Sequence, residues 1–443
     1  MADKHIPRCS FCDAEKSPSV PLIAGNEGHI CAACVNLAHQ VITSWGQHRK
    51  NQQLAPKLRT PAAYKEHLDQ SVIGQQAAKQ TLAVAVYNHY LRLLNRNNDV
   101  ACQLSAPIEL EKSNILMAGP SGTGKTLLVR ILARTLGVPF VTADATTLTQ
   151  AGYVGDDVDS IISRLLDAAQ GDVQQAQWGI VYIDEVDKLA RRNGAGSTVR
   201  DISGEGVQQA LLKMIEGSEV RVGKSSRRGE QSAEQVVDTS NILFIAGGAF
   251  SGLEEWIGQR MQPKSSSIGF QTAPQRPRPP VNELLASLTP DDLHEFGLIP
   301  EFIGRFPIIT FLQELDHGTL LRILTEPRNA LIKQYRQLFA YQGVTLDVTP
   351  QALSFIATQA LNRKTGARGL RAVLENALQP IMFSMPSQPQ LCGCTLDARR
   401  DASGVESLQV TQQRLEEGVA VSEVRLSPDR EPQSAVRLVQ DSI

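Results

Sequence analysis

The eight residues GPSGTGKT, 119–126, hold three glycines and one lysine. Gly119, Gly122 and Gly124 let a loop fold tightly enough for successive backbone N–H groups to converge on phosphate oxygens, and Pro120, Ser121 and Thr123 complete that loop. Lys125 can reach β- and γ-phosphates, the Thr126 hydroxyl can ligate Mg²⁺, and Leu127 continues into the next segment. A second stretch, GIVYIDEVDK, places Asp184 at the carboxyl end of the apolar run Ile180–Ile183, where a carboxylate can hold Mg²⁺, often through water. Glu185 follows and can polarise an attacking water. A phosphate loop together with this acidic pair implies ATP hydrolysis rather than ATP binding only. A third stretch sets Cys9, Cys12, Cys31 and Cys34 as C-x₂-C-x₁₈-C-x₂-C. Four thiolates at that spacing close a tetrahedral Zn²⁺ site with no open position for catalysis, so its role is structural. Cys102, Cys392 and Cys394 have no fitting partners and read as buried or incidental thiols.

These groups need elements to position them. ILMA before the phosphate loop reads as a strand, and KTLLVRILARTLG after it reads as a helix ended by Gly137. That strand–loop–helix context is what a phosphate site requires. Farther along, QQAAKQTLAVAVYNHYLRLLNR, DDVDSIISRLLDAAQ and GEGVQQALLKMIEG are helical, while PFVTA, GIVYID and NILFIAG are strands. Short, wholly apolar strands between helices mean a parallel sheet covered on both faces. Beyond about 313 strands nearly vanish from the pattern, with VTLDVT the clearest one left. The expected class is therefore α/β: a P-loop parallel sheet domain covered by helices, a mainly helical small domain, and an N-terminal zinc-binding domain. The expected bounds are 1–45 for the zinc domain, 46–63 for a polar, basic linker, 64–312 for the large domain, 313–415 for the small domain and 416–443 for a poorly packed tail. Residues 262–282, rich in serine, proline and arginine, form an insertion in the large domain.

Composition sets outer limits. A chain of 443 residues suits two or three domains, and 42% apolar with 20% charged residues is ordinary for a globular protein. A formal net charge of −2 makes the whole molecule no electrostatic magnet for nucleic acid or anionic membrane. No apolar run approaches the roughly 20 residues that span a bilayer. The start, MADKHIPRCSFC, lacks the charged-then-apolar pattern of a secretory signal, so the expected compartment is the cytoplasm. In a reducing compartment the cysteine cluster reads as a metal site before it reads as disulfides.

The flanking text VIGQQAAKQTLAVAVYNHYLRL, AGYVGDDV, DISGEGVQQALLKMIEG, GLIPEFIGRFP and RKTGARGLR, read with GPSGTGKT and GIVYIDEVDK, resembles the ClpX family of AAA+ ATPases, ATP-driven unfoldases that feed the ClpP peptidase. The resemblance implies ATP, Mg²⁺ and Zn²⁺ as cofactors and a homo-hexameric ring as the assembly. It implies that Arg305 reaches the neighbouring subunit's ATP site, that Arg368 is a second sensor, and that Val72 and Ile73 pack against adenine. Tyr153 and Val154 would line the axial pore and grip the translocating chain, and 191–201, with Arg200, would form a second pore loop. Ile268, Gly269 and Phe270 match the tripeptide that docks on ClpP. The zinc domain would dimerise and receive adaptors and some substrates.

Two departures bear on partners. The docking tripeptide has flanks unusually rich in proline, and the family's Arg-Lys-His tripeptide at the pore entrance is replaced by Arg227-Arg228-Gly229. Such changes fit a divergent paralogue with a different tag preference. NILFIAGGAF also lacks the polar side chain that many such ATPases use as a first sensor. The leading expectation is an unfoldase that recognises unfolded or tagged proteins and threads them into a ClpP-type peptidase. The alternatives are a stand-alone ATP-dependent chaperone or remodeller, and a zinc-finger nucleic-acid-binding regulatory ATPase, against which the near-neutral first 50 residues argue.

Overall fold

The computed structural model describes residues 7–18, 20–26, 28–39, 56, 58–95, 110–149, 156–190, 202–223, 234–261, 279–400, 406–414 and 424–426. The chain divides into two compact units, Met1–Lys57 and Leu58–Ile443. In the first, β1 (Leu22–Ala24) pairs antiparallel with β2 (His29–Cys31), and residues 32–39 are helical (α1).

The second unit opens with α2 (Pro61–Asp69) and α3 (Gln76–Asn95). The linker expected through residue 63 therefore stops short. Thr60 caps α2 and Pro61 takes its first turn, where a missing N–H costs nothing. Then follow β3 (Ile115–Ala118), α4 (Lys125–Leu136), β4 (Phe140–Asp144), a short parallel pair β5 (Leu148–Thr149) and β6 (Asp156–Asp157), α5 (Ser160–Ala168), α6 (Val173–Gln177) and β7 (Ile180–Asp184). The helix expected from Asp156 starts only at Ser160, because Asp156 and Asp157 pair with Leu148 and Thr149 instead. After α7 (Ile202–Glu216) come the antiparallel pair β8 (Glu219–Val222) and β9 (Gln235–Asp238), β10 (Leu243–Gly248), α8 (Leu253–Met261), α9 (Val281–Ala286), α10 (Pro290–Phe296), α11 (Pro300–Gly304) and β11 (Ile308–Phe311).

Strands β11-β3-β10-β7-β4 form one sheet, parallel throughout. Alternate residues of each strand face opposite sides, so the all-apolar strands feed two cores at once. Leu116, Val181, Ile183 and Phe244 meet α5, α7 and α8 on one face. Ile115, Met117, Tyr182 and Ile245 meet α2, α3 and α4 on the other.

The remaining described elements build a second domain around its own core: α12 (His317–Thr325), α13 (Leu331–Ala340), β12 (Thr345–Val348), α14 (Pro350–Asn362), α15 (Ala367–Ser384), β13 (Leu391–Arg400), β14 (Glu406–Arg414) and β15 (Val424–Leu426). Helices are its larger part, yet strands do not vanish as expected: β12-β13-β14-β15 form a four-stranded sheet. The signal was weak because the core-facing positions of β13 and β14 include a cysteine and a buried glutamine beside Leu396, Leu408 and Val410. Residues 424–426 of the expected loose tail pair with β14 as a fourth strand.

Candidate active site

The phosphate loop joins β3 to α4 and is held from both sides. Gly119 N donates to Gly248 O at 3.2 Å, at the end of β10, and Ala367 N, opening α15 of the second domain, donates to Gly122 O at 3.1 Å. Two glycines are required for that fit. Gly119 has φ 149° and a Cβ there would lie 2.6 Å from Leu312 O. Gly122 has φ 75° and a Cβ would lie 2.4 Å from Thr365 O. Thr123 Oγ1 closes the loop by donating to Pro120 O at 2.8 Å.

Helix α4 begins at Lys125 after Gly124, whose side supplies no capping group, so its first N–H groups and positive end face the loop. Lys125 is buried, and its Nζ donates to Gly119 O at 2.6 Å and Pro120 O at 3.0 Å. Burial lowers its pKa, while Asp184 and Asp187 pull the other way. An ammonium whose hydrogen-bond partners among the described residues are loop carbonyls is poised to exchange them for phosphate oxygens.

Strand β7 delivers the acids. Asp184 Oδ2 accepts from Thr126 Oγ1 at 3.0 Å, and Asp184 Oδ1 accepts from Tyr182 Oη at 3.2 Å and Glu185 N at 3.0 Å. A hydroxyl and a carboxylate this close are hard oxygen donors, the chemistry Mg²⁺ requires when most of its other ligands are water and phosphate. Glu185 has φ 58°, left-handed backbone for a non-glycine residue, at a cost of roughly 1–2 kcal/mol. The surrounding turn, Val186–Leu189, holds it there and leaves its side chain at the rim of the cleft.

That cleft encloses about 840 Å³, within the range of small-molecule sites. One wall is the loop, with Ser121, Gly122 and residues 124–127, together with Asp184 and Glu185. The other comes from the second domain: Ile323, Leu331, Arg368 and Arg371. Arg368 Nη1 stands 3.5 Å from Ser121 Oγ. Leu127, 45% exposed, joins Ile323 and Leu331 as an apolar surface inside the cleft. Ile323, Leu331 and Arg371 were not legible as site residues in the sequence. Only Arg371 carried a local signal, lying three residues past Arg368 and so on the same helical face.

Other expected residues sit elsewhere. Val72 and Ile73 are buried and do not line the cleft, although Val72 Cγ1 lies beside Gly124, 3.9 Å from where a Cβ would stand. Arg305, at the end of α11, is outside the cleft of its own chain. Its Nε donates to Glu216 Oε1 at 2.8 Å, and both side chains are about half exposed. Tyr153, Val154, Arg200, Ile268, Gly269, Phe270 and Arg227-Arg228-Gly229 lie outside the described residues, as does Cys102.

In the first unit Cys9, Cys12, Cys31 and Cys34 bring their sulfurs within 4.8 Å of one another, with Cys12 and Cys31 at 3.6 Å. A tetrahedron with Zn–S near 2.3 Å needs sulfurs ~3.8 Å apart, so the four fit that ion. Burial opposes ionisation of Cys9, but the N–H groups of Cys12, Phe11 and Cys31 outweigh it and bring its pKa down to about 6, toward the thiolate a metal needs.

A glycine loop between an inner parallel strand and a helix, with an acidic pair at the end of β7 two places across the sheet, defines a P-loop ATPase of the AAA class. Residues 110–309 match the family model for the AAA domain (Cdc48 subfamily), and residues 315–393 match that of the C-terminal, D2-small domain of ClpB protein. Residues 7–44 match the ClpX C4-type zinc finger. The chain is 74% identical over 426 residues, 96% of each chain, to the ATP-dependent Clp protease ATP-binding subunit ClpX of Azotobacter vinelandii. It is 55% identical to the subunit ClpX 3 of Methylococcus capsulatus, covering 88% of this chain and 91% of that one. To ClpX of Bacteroides fragilis it is 45% identical, over 86% and 92%. The chain belongs to the ClpX family. Among the described residues no helix is long and apolar enough to cross a membrane.

Proposed function

We propose that this chain is the ATP-hydrolysing motor of a Clp-type protease, a homo-hexamer that unfolds tagged or unfolded proteins and threads them into a ClpP-type peptidase. The reading rests on the relatives, which are ATP-binding subunits of ATP-dependent Clp proteases, and on one geometric observation. Lys125, the Thr126–Asp184 pair, Glu185 and Arg368 converge on a single cleft walled by both domains.

Within it, each residue has a task. The loop N–H groups and Lys125 take the phosphates, Lys125 giving up the carbonyls of Gly119 and Pro120 to do so. Thr126 and Asp184 would hold Mg²⁺, which would neutralise charge that develops on the phosphates. Glu185 orients a water and draws on its proton. Arg368 ties the second domain to the loop that carries the phosphates, so nucleotide state and domain arrangement are linked. Arg305 lies on a surface arginine–glutamate pair worth only about 0–1 kcal/mol, weak enough to be exchanged for the γ-phosphate of a neighbouring subunit.

Tyr153 and Val154 on one loop and Arg200 on another would contact the translocating polypeptide, and Ile268-Gly269-Phe270 would dock on the peptidase. The zinc unit would receive adaptors. The test is co-purification with a ClpP-type peptidase in ATP and Mg²⁺, followed by degradation of a tagged folded protein. Degradation that stops on deletion of 268–270, with ATP turnover retained, is the expected result. A chain that stays monomeric and never consumes ATP overturns the reading.

A further inference from the structure

Strand β10 ends in Gly247-Gly248, with no polar side chain at the edge of the cleft. The reason lies on the neighbouring strand. A Cβ at Gly247 would stand 2.0 Å from Tyr182 Oη and 2.7 Å from its Cζ, so the tyrosine tip fills the space a side chain from β10 would need. Tyr182 is fully buried on the face of the sheet that packs against α4, the helix that follows the phosphate loop. It stands two residues before Asp184, so both side chains leave β7 on the same face. A phenol is long enough to reach the next side chain on that face, and it does, at 3.2 Å.

We propose that the Tyr182 hydroxyl is a positioning residue of the ATPase site, holding the Asp184 carboxylate in the orientation that binds Mg²⁺, in room that Gly247 leaves open. The Asp184 carboxylate takes one side-chain donor on each oxygen: Thr126 on Oδ2 and Tyr182 on Oδ1, with Glu185 N also on Oδ1. Thr126 is itself expected at the metal, so Tyr182 is the side chain that can steady the carboxylate from behind without competing for the cation. Metal-binding carboxylates gain both orientation and affinity from such partners. A tyrosine phenol is a protonated hydrogen-bond donor at neutral pH, so it can hold the carboxylate without bringing a charge of its own. The inference rests on the reading of Thr126 and Asp184 as the metal-holding pair.

The test is Tyr182→Phe in the full chain, which keeps the ring and removes only the hydroxyl. Binding of Mn²⁺ in the presence of a non-hydrolysable ATP analogue, followed by electron paramagnetic resonance, should weaken about tenfold. The Mg²⁺ concentration giving half-maximal ATP turnover should rise by a similar factor. Nucleotide binding in EDTA should stay unchanged, and saturating metal should restore most of the maximal rate. Gly247→Ala, which drives the ring away through a different residue, should give the same metal defect. If Tyr182→Phe binds Mn²⁺ within twofold of the wild type, the proposal is overturned and the tyrosine is packing only. If the wild type itself shows no metal-dependent nucleotide binding, the underlying site reading fails instead.

Discussion

Glu185 illustrates how much one residue's backbone discloses. Its left-handed φ of 58° is retained because the turn after β7 must bring a carboxylate back to the cleft rim. Glu185→Gln keeps the shape and the hydrogen-bonding capacity but cannot accept a proton. The expected outcome is ATP binding at near wild-type affinity with turnover reduced at least 10²-fold, measured by nucleotide fluorescence and phosphate release. Gly122→Ala tests the loop. Its Cβ would meet Thr365 O at 2.4 Å in a conformation that L side chains resist, so the loop must shift away from α15. ATP affinity should fall by an order of magnitude or more, while melting of the zinc unit is unaffected. The acids and the glycines were legible in the sequence because their chemistry is set by neighbours a few positions away. Tyr182 was not, since a tyrosine in an apolar strand reads as core until its partner at Gly247 is known.

At the scale of elements, α3 carries a pH response. His89 is buried, its Nε2 donates to Asn241 O at 3.1 Å, and its Nδ1 has no partner among the described residues. Burial, helped by Arg92 and Lys112, lowers its pKa to about 3. The unfolded chain protonates this histidine near pH 6.5 and the folded chain does not until about pH 3. Between those values the unfolded state binds more protons, so stability falls as pH falls through that window. His89→Gln should shrink the difference in melting midpoint between pH 7 and pH 5. The zinc unit makes a second element-level case. With β1 and β2 only three residues each, the four thiolates on one ion supply what its small core lacks. Chelation should abolish folded signals from the described residues of the zinc unit and leave melting of the second unit in place, as hydrogen exchange can show. Helix α4 and the strands β3, β4, β7 and β10 were legible because each is a long or mainly apolar run beside a glycine or proline, whereas β11, the fifth strand of the sheet, was not picked out. The sheet of the second domain was hidden because β13 and β14 alternate with few large apolar residues.

For the whole molecule, the decisive arrangement is a cleft whose two walls belong to different domains, while Arg305 stays outside it. If Arg305 serves a neighbour, Arg305→Ala and Glu185→Gln chains should each be nearly inactive alone yet recover turnover when co-assembled. In the mixed ring an intact glutamate in one subunit meets an intact arginine from the next. An arginine acting within its own chain would give no recovery. Phosphate release from mixed and separate preparations decides between them.

The amino-acid sequence by itself determined the chemistry that lives in short stretches: a phosphate loop, an acidic pair at a strand end, and four cysteines at metal spacing. Each depends on groups within one turn or one strand end, so spacing along the chain already dictates what they can hold. Tertiary structure decided everything that needs distant residues to meet. It set Arg305 on Glu216 across 89 positions, brought Arg368 and Ser121 together across 247, and emptied Gly247 for the Tyr182 ring. Those meetings follow from how the sheet and the second domain pack, because sequence separation carries no distance until the chain has folded.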